Sequence, residues 1–138
     1  MSVFSILLGA VFQVACETEG AASFAAALAA GHVVRLPEIS TVASTLGALA
    51  VTGATLLGPC TTKSCVVTDR EAVSACLRFA KEHRVLVEPA CGAALAAIYE
   101  ERHRAAHIAG AARVVVVVCG GSAVSLELLE AWRIRFDL

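Results

Sequence analysis

The sequence predicts an α/β fold, a mostly parallel sheet flanked by helices, and three observations carry that expectation. Short strand candidates alternate with helical stretches along the chain, which is the pattern of α/β layering. Val114–Val118 is a run of five valines, apolar on both faces, as a central parallel strand covered by helices on either side would be. Thr68-Asp69-Arg70-Glu71 is a capping box that opens a helix directly after one of the strand candidates.

The elements follow in order. Met1–Ala15 is apolar, but Glu17 interrupts it before the roughly 20 residues a membrane-spanning helix needs. It lacks the basic start of a secretion signal, so neither a span nor export is expected. Ala21–Ala30 is alanine-rich and closed by Gly31, a helix with a glycine C-cap. Pro37 marks an extended connection, and Val42–Leu57 is small, apolar and glycine-punctuated, a stretch expected to pack tightly. Ser64–Val67 reads as a short strand. The helix capped by Thr68 places Ala72, Cys76, Phe79 and Ala80 on one face. Arg84–Val87 is strand-like. Glu88-Pro89 begins a second helix, with proline in the first turn where its missing N–H costs nothing, running through Ala93, Ala97 and Ile98 toward His107. Arg113–Val118 is the central strand, where each buried valine contributes about 1.5–3 kcal/mol before entropy costs. It stops at Cys119-Gly120-Gly121, and Ser125–Trp132 reads as a final amphipathic helix.

The 138 residues amount to one domain's length. With 58% hydrophobic and 17% charged residues, and a mean hydropathy of +0.77, the chain is too apolar for disorder. It is also high for a free-standing domain, so part of its surface is expected to lie under further protein. A net charge of −1 with scattered basic residues excludes an electrostatic case for nucleic acid or a membrane surface as partner. The six cysteines (16, 60, 65, 76, 91 and 119) stand mostly in apolar stretches, as reduced thiols of a cytoplasmic protein do. Cys60-x4-Cys65 with His103-x3-His107 supplies ligand types for an alternative, a small metal-binding module, against which stand two solvent-facing histidines. Cys119 is either a buried strand-end cysteine or the neighbour of a ligand.

Four segments, ACETEGAASFAAALAAG (15–31), LPEISTVASTLGALAVTGATL (36–56), VTDREAVSACLRFAKEHRVLVEPACGAALAAIY (67–99) and VVVVVCGGSAVSL (114–126), share order and spacing with one family. They resemble the C-terminal part of the L-serine/L-threonine dehydratases, pyridoxal-phosphate lyases of the tryptophan-synthase-β-like fold type II. VEPACGAALAA and VCGGS are the motifs specific to this branch. The resemblance divides the chain into residues 1–13, without a counterpart, and 14–138, a portion of the three-layer large domain. The small domain and the segment with the catalytic lysine have no match in it.

The resemblance implies roles residue by residue. Cys119 would lie beside the pyridine nitrogen of pyridoxal 5′-phosphate. A thiol is a weak donor and leaves the ring a modest electron sink, enough to eliminate a hydroxyl. Gly120 and Gly121 would let the backbone turn close to the ring. Thr45 falls where relatives place a small residue against the ring, and its β-branch would crowd the pocket. Glu17, in the E-T-x-G-A segment, would bind a monovalent cation, K+, with the carbonyl oxygens of Ala21, Leu46 and Ala48. Glu88 reads instead as a structural acid at a helix N-terminus, stabilising by about 0.3–1 kcal/mol.

The family also needs a lysine to hold the cofactor and remove the substrate α-proton. Lys63 (in TTKSC) and Lys81 (in FAKEH) are the two lysines, and neither stands in the family's Ser-x-Lys context. A Ser-Gly-Asn loop and a glycine-rich phosphate loop are missing too, and LLGA at 7–10 has too few free backbone donors to replace the latter. The expectation is a fragment or truncated form of a dehydratase, inactive alone. The parent reaction would convert a small hydroxy amino acid into pyruvate or 2-oxobutanoate plus ammonia. The expected association is a homodimer or pairing with a full-length chain, and a non-catalytic regulatory subunit is the alternative.

Overall fold

Strands β1 (Gln13–Thr18) and β2 (Thr62–Val67) pair in parallel, with Cys16 opposite Cys65 and Thr18 opposite Val67. The computed structural model describes residues 12–56 and 61–138. The expected N-terminal segment 1–13 therefore lies almost wholly outside the described residues, as do Leu57 and Cys60. Among the described residues, no helix is long and apolar enough to cross a membrane.

Local sequence accounts for most helix boundaries. Helix α1 (Ser23–Ala30) ends at Gly31, whose φ of 72° is left-handed and suits glycine. A single turn, α2, covers Gly53–Leu56. Helix α3 (Asp69–His83) has the full capping box: the Thr68 hydroxyl accepts from the Glu71 N–H, and the Glu71 carboxylate accepts from the Thr68 N–H at 2.9 Å. Burial works to raise the Glu71 pKa, yet hydrogen bonds from Arg102 and Thr68 outweigh it and hold the carboxyl at about 2. Helix α4 (Pro89–Tyr99) starts with Glu88 as N-cap and proline in its first turn. Helix α6 (Leu126–Arg135) is capped by Ser125, whose hydroxyl accepts from the Leu128 N–H at 3.2 Å.

The core lies where α3 and α4 cover the sheet, around Cys65, Val67, Ala72, Cys76, Val87 and Ala93, all fully buried. Gly92 makes the close crossing possible: a Cβ there would sit 2.1 Å from the Ala72 carbonyl oxygen and 2.6 Å from Cys76 Sγ.

Four expectations about elements are corrected. The helix from Pro89 does not run to His107, because Glu100 takes an extended conformation (φ −87°, ψ 120°) and a separate helix, α5 (Glu101–His107), follows. Arg84–Val87 is not a strand; Val87 turns into the core while Val85 is 47% exposed. Residues 42–56 do not pack tightly, since only Ala43 among them is buried. Most telling, Arg113–Val118 is not a central strand. It forms no ladder with β1 or β2, and Val115 is 89% exposed. An apolar segment becomes a buried strand only when neighbours meet both its hydrogen-bonding edges and its faces. The described chain supplies neither, beyond the packing of Val116 on the core.

Candidate functional site

The segment after the valine run folds back over the start of α4, and Glu88 is the hub of that contact. Its carboxylate accepts from the Thr45 hydroxyl at 2.9 Å and from the Ala123 N–H at 3.3 Å. Gly121 permits the approach, for a Cβ there would lie 2.1 Å from Glu88 Oε1. A side chain at this position would have to displace the Glu88 carboxylate from its contacts, although the turn does not demand a left-handed conformation. Glu88 keeps the structural place expected of it, at the N-terminus of α4. Thr45 is exposed, and its hydroxyl is used to tie the 44–46 turn to α4.

Cys119 is exposed, so it is not the buried strand-end cysteine of the plainer reading. Its backbone is anchored: the Cys91 thiol donates to the Cys119 carbonyl and stands 3.9 Å from that of Gly120. Burial pushes the Cys91 thiol up, which keeps it a donor rather than a thiolate. The sequence offers Cys91 only as one of six cysteines in apolar stretches; its place in the first turn of α4, with its thiol on the 119–120 carbonyls, is set by the fold. A cleft of about 110 Å³ opens between the 42–45 loop, Glu88 and Pro89, Ala123, and Leu128 and Trp132 of α6.

The Gly20 carbonyl accepts from the Ser40 N–H at 3.0 Å, joining the 19–21 turn to the loop that leads to Leu46. Glu17 is buried, and its two oxygens accept from the N–H groups of Phe24 (2.8 Å) and Ala25 (2.9 Å), capping α1. Ala21 is buried, and the Leu46 carbonyl already accepts from the Ala48 N–H at 2.7 Å. Glu17 therefore acts first as a helix cap, which satisfies otherwise orphaned donors.

How well these residues suit pyridoxal phosphate follows from their chemistry. An exposed thiol on a backbone held by Cys91, beside a glycine turn, suits one edge of a pyridine ring. The cleft is well below the roughly 300–1,000 Å³ of small-molecule sites, and no lysine lines it. Lys63 instead places its Nζ 4.9 Å from the Phe12 ring centroid, and Lys81 is exposed on the last turn of α3. The described residues fit one edge of the cofactor and do not fit its phosphate or its covalent anchor.

The chain is 50% identical over 129 residues to a mouse serine dehydratase-like protein, covering 88% of this chain and 39% of that one. It is 44% identical over 133 residues to the human L-serine dehydratase/L-threonine deaminase, covering 89% of this chain and 40% of the relative. The fold superposes on a fungal L-serine ammonia-lyase from Rhizomucor miehei with a TM-score of 0.82 at 33% identity, over 89% of this chain and 40% of that structure. Maize serine racemase follows at a TM-score of 0.73 and 26% identity, over 92% of this chain and 40% of the racemase chain. The chain spans about 40% of the length of the relatives it matches. These neighbours are fold type II enzymes, so the α/β class and the resemblance read from the motifs both hold. Residues 3–120 match the family described as pyridoxal-phosphate dependent enzyme, and with most of its length inside that match this chain belongs to the pyridoxal-phosphate dependent enzymes.

Proposed function

We propose that this chain is part of an L-serine/L-threonine dehydratase, contributing the pyridine edge of the cofactor site and not the lysine. The observation that carries this is the Cys119-Gly120-Gly121 turn seated on Glu88 at the start of α4, in a chain so similar to serine dehydratase-like proteins. When bound, pyridoxal phosphate supplies the electron sink for β-elimination of the hydroxyl. This chain's own residues would hold the ring edge: Cys119 as a weak donor, Gly120 as a close backbone, and Thr45 beside them. The cation part of the proposal places K+ on the Glu17 carboxylate and the Ala21, Leu46 and Ala48 carbonyls, using lone pairs left over from capping. Exposed and buried thiols alike are free among the described cysteines, which supports a reducing, cytoplasmic setting.

The test is an assay of the 138-residue chain with pyridoxal phosphate and L-serine, with and without the lysine-bearing segment of the Rhizomucor enzyme. Pyruvate is expected only when that segment is present, and Cys119→Ala should then lower the yield. Pyruvate from the chain alone, or borohydride trapping of the cofactor on Lys63 or Lys81, would overturn the half-site reading.

A second reading is a non-catalytic partner that pairs with a full-length dehydratase or with itself. The exposed ridge of Val114, Val115 and Val117 favours it, because such a strand-forming edge is a template for pairing. Sedimentation of the chain with a full-length relative should then show a mixed species.

A further inference from the structure

Cys65 of β2 and His103 and His107 of α5 converge, each offering one ligand atom within 4.8 Å of the others. We propose that these three residues form a binding site for a borderline-soft divalent cation, Zn2+, separate from the cofactor site. Cys65 is fully buried on β2, and His103 is 6% exposed on α5. His107 follows His103 by four residues, so both imidazoles project from one helix face, and their rings stack at 6.3 Å between centroids.

The spacing is what a metal would require. A tetrahedral zinc with Zn–S of about 2.3 Å and Zn–N of about 2.0–2.1 Å sets sulfur and nitrogen about 3.6 Å apart. Cys65 Sγ and His103 Nδ1 stand 3.6 Å apart. That distance also serves a thiol–imidazole hydrogen bond, so the third ligand and the outer partner of His103 decide between the two. Glu71 Oε1 lies 3.3 Å from His103 Nε2. A carboxylate there accepts the Nε2–H and leaves the Nδ1 lone pair directed at Cys65, the outer arrangement that orients a metal-bound histidine. The cations nearby are occupied: Arg102 forks onto Glu71 Oε1 at 2.9 and 2.5 Å, and Lys63 rests over Phe12.

Binding would form a Zn–S bond as the Cys65 thiol proton leaves to solvent, with both imidazoles donating lone pairs. A fourth coordination position remains for solvent or for Cys16, which faces Cys65 across the parallel register. One thiolate and two neutral imidazoles suit Zn2+ and Co2+, and exclude Mg2+ and Ca2+, which want oxygen ligands. The site draws on residues apart from Cys119 and Glu88, and stands whether or not the dehydratase reading does.

Co2+ titration of the reduced, metal-free full chain tests it. One equivalent should saturate a thiolate-to-cobalt charge-transfer band together with the visible bands of a tetrahedral site, and Zn2+ should displace both. Cys65→Ala should abolish the charge-transfer band. His107→Ala, at a half-buried position outside the core, should weaken apparent affinity about tenfold or more with unchanged circular dichroism, and Glu71→Gln should weaken it by about 10–100-fold. His32→Ala, at an exposed histidine elsewhere, should leave the titration unaltered. Absence of the band in the parent chain, or a band undiminished in a folded His107→Ala chain, would overturn the proposal, and the second result decides even if Cys65→Ala fails to fold.

Discussion

Cys76, Cys91 and Cys119 lie along one path from the core to the surface, and their surroundings set their chemistry. Cys76 is fully buried against Gly92 and donates to the Glu88 carbonyl at 3.3 Å; Cys91 donates to the Cys119 carbonyl; Cys119 is exposed. Burial pushes the Cys76 thiol from 9.0 up to about 12. A raised folded-state pKa means that the neutral thiol is favoured in the folded chain. Its contribution to stability is complete below pH 9 and is lost as pH rises from 9 toward 12. Alkylation with iodoacetamide at pH 8, followed by peptide mass spectrometry, should label Cys119 first and Cys76 only in unfolded chain. Early labelling of Cys76 would contradict the packing described for it. Glu88 shows the same dependence on surroundings, since its carboxylate holds Thr45 and Ala123 together at the start of α4.

At the level of elements, the crossing of α3 and α4 organises the molecule, and Gly92 is its narrowest point. Ala at this position would overlap a backbone carbonyl that belongs to a helix and cannot yield cheaply. Gly92→Ala should therefore lower stability by roughly 1–3 kcal/mol or more, despite the better helix propensity of alanine, as overpacked cores do. Chemical denaturation of the two chains measures this, and an unchanged or raised midpoint would show that the helices can separate freely. The capping box holds the other end of the arrangement. Glu71 closes the cap of α3 while gripping Arg102 and facing His103, so one carboxylate joins α3 to α5.

The whole molecule leaves a strand-forming segment uncovered. Val114, Val115, Val117 and Val118 are 46, 89, 59 and 36% exposed, although five consecutive valines have no preference for water. The chain spans about 40% of the length of its relatives, and an apolar ridge of this size is a surface suited to contact with further protein. Replacing Val115 and Val117 together by Lys should reduce concentration-dependent association in sedimentation experiments. The same double variant should leave the thermal midpoint nearly unchanged, because these side chains support little of the core. A large fall in the midpoint would mean that the ridge is packed within the single chain after all.

Much of this was legible from residue order alone, wherever the cause is local. The Thr68–Glu71 box, Pro89 at the start of α4, Gly31 closing α1 and Ser125 opening α6 each act through neighbours within a few residues, so their positions suffice to read them. The family motifs were legible for the same reason: VEPACGAALAA and VCGGS are contiguous. What the sequence could not decide was pairing across distance. The valine run reads as a central strand by composition, yet strand formation depends on partners, and only the folded chain shows that β1 and β2 pair with each other and leave it aside. Likewise, the sequence groups Cys60, Cys65, His103 and His107 as ligand types, but Cys65 and His103 are 38 residues apart, and only the fold shows that the histidines meet Cys65. The tertiary structure alone brought Glu71, His103 and Cys65 into one line, because a helix and a strand must pack before side chains so distant in sequence can share a ligand.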